Sequence, residues 1–125
     1  MDTSNRTVMI VGIVALVLIV GGLVYANNAP SKYDGFAMCL KDKGATFYGA
    51  FWCPHCAKQK SMFGNAKKYL PYVECSTPDA NGQTPICIEK EIHSYPTWIF
   101  PDMSSTTGEQ ELSVLADKTG CTLPN

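Results

Sequence analysis

At 125 residues the chain is long enough for one compact domain and too short for two. A formal net charge of −1 removes the electrostatic case for nucleic acid or any other polyanion as a partner. Six cysteines in so short a chain imply disulfides if the space is oxidising, and metal or thiol chemistry if it is reducing.

The first element bears on the compartment. Val8 to Ala26 (VMIVGIVALVLIVGGLVYA) carries no charge and is rich in Val, Ile and Leu. At about 19 residues it just crosses a hydrocarbon core of about 30 Å as a helix. A cleavable signal is the alternative, since Val24-Tyr25-Ala26 resembles a small-residue cleavage site. The apolar run is longer than the ~7–15 residues of a signal core, which favours an uncleaved anchor. Arg6 precedes the span and only Lys32 follows closely, a bias that puts the N-terminus in the cytoplasm. The expected layout is a cytoplasmic segment 1–7, an anchor 8–26, a linker 27–32 containing Pro30, and an extracytoplasmic domain 33–125. The cysteines then sit in an oxidising space.

Within the domain, Asp34 is placed to cap a short helix with Phe36, Ala37 and Leu40 on one face and Gly44 as a left-handed stop. Ala45 to Phe51 is small, aromatic and uncharged, the pattern of a strand buried on both faces. It leads into Phe51-Trp52-Cys53-Pro54-His55-Cys56. Pro54 suits the first helical position, and apolar residues from Met62 to Leu70 extend the helix until Pro71. Gly64 is a weak point and a place for a kink. Lys58, Lys60, Lys67 and Lys68 read as its solvated face.

Tyr72 to Cys75 forms a further strand, and Ser76 to Thr84 is turn chemistry. Thr84-Pro85 opens a short helix carrying Ile86, Ile88 and Ile92. Ser94-Tyr95-Pro96-Thr97 precedes the strand Trp98 to Phe100, and a turn at Pro101 to Ser104 returns the chain near Thr106. Leu112, Leu115 and Ala116 outline a last helix that ends at Gly120.

Cys53 and Cys56 occupy a strand-to-helix junction. A sulfur at the helix start faces unpaired N–H groups and the positive end of the helix dipole, which favours its thiolate. Cys53 is therefore the expected nucleophile. Cys56, one turn on, is the resolving thiol. An imidazole at His55 beside the Cys53 sulfur stabilises the thiolate and makes the disulfide a stronger oxidant.

The order of elements, Trp52-Cys53-Pro54-His55-Cys56 at the junction and Tyr95-Pro96-Thr97 before the hairpin resemble the thioredoxin fold: α/β, a small mixed sheet flanked by helices, here preceded by one transmembrane helix. The Pro-His dipeptide is similar to DsbA-type oxidases. Tyr48 to Cys56, with Phe63-Gly64, Tyr72 to Cys75 and Ser94 to Trp98, resembles the thioredoxin-like domain fused to bacterial vitamin K epoxide reductase homologues.

The resemblance implies a membrane-anchored thiol-disulfide oxidoreductase in the periplasm or its equivalent. It implies thiols of exported proteins as substrates, no cofactor, and reoxidation by a separate quinone-linked membrane protein of vitamin K epoxide reductase or DsbB type. It makes Pro96 a cis-proline whose loop, with Trp52, Tyr95 and Thr97, binds substrate beside Cys53. Cys75 and Cys87 are a structural disulfide under this reading, or else a relay pair. Pairing Cys39 with Cys121 is what remains. Trp98 is read as core and His93 as an exposed loop residue. Phe47 stands where thioredoxins carry a buried acid, which leaves open what assists Cys56.

Rival chemistries have weaker support. Zinc knuckles come in close-spaced pairs, and only one such pair is present. Haem attachment needs His after the second cysteine, where Ala57 stands. A reductase or isomerase for extracytoplasmic proteins, apocytochromes included, stays open, as does a tethered binding module.

Overall fold

A computed structural model describes residues 3–125. The chain divides into two units, one ending at Pro30 and one spanning Ser31–Asn125. Met1 and Asp2 of the expected cytoplasmic segment lie outside the described residues.

The first unit is one helix, α1 (Thr3–Asn28). Its apolar side chains are exposed on every face, so it has no stripe to pack on a core and suits a lipid environment. The stretch Ser4–Asn28, 25 residues, is long and apolar enough to span a membrane, and a signal sequence has the same properties. The helix outruns the expected span, Val8 to Ala26, at both ends. At its C-terminus Asn28 turns its side-chain amide back to the Val24 carbonyl at 2.8 Å.

The second unit builds a four-stranded sheet in the order β2-β1-β3-β4. The strands are β1 (Thr46–Gly49), β2 (Tyr72–Glu74), β3 (Thr97–Ile99) and β4 (Ser105–Thr107). β1 runs parallel to β2 and antiparallel to β3, and β3 pairs antiparallel with β4. In register, Phe47 lies between Tyr72 and Trp98. The helices are α2 (Asp34–Asp42), α3 (Pro54–Ser61), α4 (Pro85–Glu89) and α5 (Leu112–Thr119), with a 3₁₀ helix at Gly64–Tyr69.

Successive strand side chains point to opposite faces, and β1 serves a separate core on each. Phe47 packs with Phe36, Leu40, Phe63, Trp98, Phe100 and Leu115. Tyr48 packs with Cys75, Cys87 and Ile92. Phe47 and Trp98 stack at 4.9 Å between ring centroids.

Several boundaries differ from the sequence reading. Asp34 is the first residue of α2, and Tyr33 holds the cap position without a side-chain cap. The Asp34 carboxylate instead accepts from the Ser31 N–H at 3.1 Å. The helix expected to reach Leu70 stops at Ser61 and resumes as the 3₁₀ turn, because Gly64 takes a φ of +55°. Ile86 and Ile88 are exposed, while Cys87 and Ile92 carry the buried side of the α4 region. Gly44 and Gly120 end α2 and α5 at positive φ, a conformation glycine adopts without Cβ strain.

Candidate active site

β1 ends at Gly49, and the turn through Phe51 and Trp52 delivers Cys53 to the start of α3. Cys53 is the N-cap residue, and its sulfur accepts from the Cys56 N–H at 3.3 Å. Pro54 follows at the first helical position, where no N–H is missed. Both cysteines are free thiols; Cys53 is 5% exposed and Cys56 1%. The rim is apolar, with Phe51 56% and Trp52 52% exposed.

The opposite wall is the loop before β3. The Tyr95–Pro96 peptide is cis, and the Tyr95 carbonyl accepts from the Cys53 thiol at 3.8 Å. Trp52 sits edge-on to Tyr95 at 5.9 Å and donates from its indole N–H to Ser76 Oγ at 2.8 Å. Tyr95 Oη accepts from Gln83 at 2.8 Å. Thr97 follows the cis-proline as the first residue of β3. It is buried, and its hydroxyl donates to the Ser94 carbonyl at 2.8 Å, which braces the loop.

His55 has a carboxylate partner that the sequence reading did not include. Its Nδ1 lies 2.6 Å from Glu109 Oε1, and Lys58 Nζ lies 2.8 Å from Glu109 Oε2. Lys58 first and His55 second hold the Glu109 carboxyl below the usual carboxylate range. The segment carrying Glu109 is fixed to α3 by the buried Gln59. Its Oε1 accepts from the Gln110 N–H at 2.7 Å and the Trp98 indole at 3.3 Å, and its Nε2 donates to the Gln110 carbonyl at 3.0 Å.

A second polar group ties β2 to the turn that precedes Cys53. Glu74 Oε1 accepts from the N–H groups of Phe51 and Ser76 at 3.1 and 2.9 Å, and Oε2 accepts from the Tyr72 hydroxyl at 2.8 Å. Lys60 Nζ sits 3.3 Å from the Tyr72 ring centroid. Lys60 is thus half-buried and not part of a solvated face as Lys58, Lys67 and Lys68 are. Burial lowers the Lys60 ammonium below its ordinary pKa. Burial, aided by a hydrogen bond with Cys53, pushes the Cys56 thiol up to about 12.

Away from the site, Cys75–Cys87 and Cys39–Cys121 are disulfides, with Cα atoms 5.5 and 5.9 Å apart. Trp98 is fully buried and His93 exposed.

Sequence reasoning missed Gln59, Glu74 and Glu109. Glu109 is far from His55 in the chain, and nothing local marks it. Lys60 carried a signal: it stands four residues after Cys56, on the same helix face.

The chain is similar to the thiol-disulfide oxidoreductase LTO1 of Arabidopsis thaliana, 47% identical over 102 residues covering 78% of this chain and 27% of that protein. It is also similar to protein disulfide-isomerase 5-1 of the same plant, 26% identical over 113 residues, covering 82% of this chain and 77% of the relative. The chain therefore spans about a quarter of LTO1. No protein-family model matches it. The fold is thioredoxin-like, with a free dithiol at a strand-to-helix junction, and the chain that carries it is similar to a thiol-disulfide oxidoreductase and to a protein disulfide-isomerase.

Proposed function

We propose that this protein is anchored by α1 in the cytoplasmic membrane and forms disulfides in exported proteins on the extracytoplasmic side. A substrate thiolate attacks Cys53 of the Cys53–Cys56 disulfide, and Cys56 leaves as a thiolate. The second substrate thiolate then attacks the substrate sulfur of the mixed disulfide and releases Cys53. The substrate dithiol is oxidised and the protein dithiol is left reduced. A separate quinone-linked membrane protein of vitamin K epoxide reductase or DsbB type restores the disulfide. The VMIVGIVALVLIV span, the Pro-His dipeptide and the wider resemblance support this direction.

The observation that carries the reading is Cys53 itself: a helix-capping sulfur that accepts the Cys56 N–H and meets the Tyr95 carbonyl. Strand-like pairing of an extended substrate along the Tyr95 backbone, next to Trp52 and Phe51, brings its thiol to that sulfur.

A reductase or isomerase is the second reading. The Glu109 carboxylate beside His55 favours it, because a negative charge there works against a thiolate at Cys53 and weakens the stabilisation of the reduced form. Equilibration with glutathione buffers separates the two. An oxidase poises toward the about −120 mV of DsbA, and a value near the about −270 mV of thioredoxin overturns the oxidase direction.

A further inference from the structure

We propose that Lys60, seated on the Tyr72 ring, supplies the positive charge that stabilises the Cys56 thiolate in the resolving step. The inference rests on the dithiol reading above and asks how a buried second thiol becomes a nucleophile.

Residues four apart share a helix face, so Lys60 lies one turn beyond Cys56 on α3. Its ammonium is over the Tyr72 ring at 3.3 Å, a cation–π position. Tyr72 and Cys56 meet at Gly49: a Cβ on that glycine would be 2.9 Å from Cys56 Sγ and 2.9 Å from Tyr72 Cε2. Cys56, Tyr72 and Lys60 are thus consecutive members of one packed group.

The ring is a fixed seat. Its hydroxyl donates to Glu74 Oε2 at 2.8 Å, and Phe47 packs edge-on at 5.1 Å. The other Glu74 oxygen is committed to the backbone of Phe51 and Ser76. The charged and titratable groups facing Lys60 are Glu74 from β2, Lys67 from the 3₁₀ helix and Cys56 from its own helix. Burial is the larger effect on both groups, lowering the Lys60 ammonium and raising the Cys56 thiol, and against it each favours the charged form of the other, as a cation and a developing anion should. Phe47, stacked on Trp98, offers no charge from β1.

In the resolving step Cys56 gives its proton to water and its sulfur bonds to Cys53 Sγ. The bond between Cys53 and the partner sulfur breaks, its electron pair leaves on the partner sulfur, and that sulfur takes up a proton. Cys56 is oxidised and the partner sulfur reduced, with no outside oxidant. Lys60 stays an ammonium throughout and lowers the cost of the thiolate.

The test follows glutathione release from the Cys53 mixed disulfide by stopped flow, over the neutral to alkaline range, with the full chain in detergent. Lys60→Met keeps the apolar stem on Tyr72 and removes the charge; Lys60→Gln removes the charge and shortens the stem; Lys60→Arg keeps the charge. Loss of the charge is expected to raise the pH midpoint of release by about one unit, a tenfold loss of thiolate at neutral pH. The higher basicity returns part of this (β about 0.4–0.5), so release slows about three- to fourfold. Lys60→Arg recovers most of the rate, and formation of the mixed disulfide is unchanged in all three. A wild-type midpoint in Lys60→Met assigns the residue to packing and overturns the proposal. The dithiol reading fails separately, by absence of any Cys53–glutathione adduct in Cys56→Ser.

Discussion

Gly49 is the position where the fold leaves no room for a side chain. In Gly49→Ala the new methyl lies 2.9 Å from Cys56 Sγ and 2.9 Å from Tyr72 Cε2, whereas carbon contacts are comfortable at about 3.5–4.0 Å. Each neighbour must therefore retreat by roughly half an ångström or more. Neither can do so freely. Tyr72 is tied at its hydroxyl by Glu74, flanked by Phe47 and covered by Lys60, and Cys56 belongs to the first turn of α3.

Overpacking of this kind costs about 1–3 kcal/mol, and two independent clashes place this substitution toward the upper end. At about 4–8 °C per kcal/mol for a small domain, the melting temperature should fall by about 10–20 °C. Circular dichroism of the full chain in detergent, with Cys53 and Cys56 reduced and both structural disulfides intact, measures it. Cys56→Ala removes the sulfur half of the clash, so the Gly49→Ala penalty should be markedly smaller in that background, a coupling that a double-mutant cycle isolates. An unchanged melting temperature, or a penalty equally large without the sulfur, refutes the packing argument.

Two further outcomes are expected. Glu109→Gln removes the carboxylate that offsets His55 and Lys58, so the reduced dithiol gains stability and the potential measured against glutathione rises; a fall would show that His55 is not the group through which Glu109 acts. Opening Cys39–Cys121, which encloses a separation of 82 residues, should cost about 4.5 kcal/mol in the chain-entropy model, against about 3 kcal/mol for Cys75–Cys87 with its separation of 12. Denaturant titration of the two double-alanine variants checks the order, and a reversed order sinks the loop-length argument.

Much of the architecture was legible because it depends on local chemistry. An uncharged aromatic run gave the central strand β1, Pro54 marked the first residue of α3, and glycines at 44 and 120 stopped helices by taking positive φ. Gly64 was read as a weak point and proved to be a full break. What escaped was tertiary. Ile86 and Ile88 look like core residues in sequence, yet the Cys75–Cys87 bond turns the other side of α4 inward. Lys60 reads as surface until β2 places Tyr72 beneath it. The polar supports of the site, Gln59 with Gln110 and Glu74 with Phe51, join residues 51 and 23 positions apart. No pattern within one element announces such pairs.

The two stapling disulfides have a consequence for the conditions in which the working pair can operate. Cys75 and Cys87 are sealed in their own cluster beneath Tyr48 and Ile92, and the Cys39–Cys121 bond closes a loop around nearly the whole second unit. The domain is thus held together by the same kind of bond that the proposed reaction exchanges. Attack on a disulfide needs a thiolate in line with the sulfur pair, and Cys75–Cys87 is fully buried, whereas Cys53 stands beside the exposed Phe51 and Trp52. Under the proposed function the staples behave as a fuse: a reductant able to open them would remove the cross-links that hold the scaffold around Cys53, and activity would fall with them.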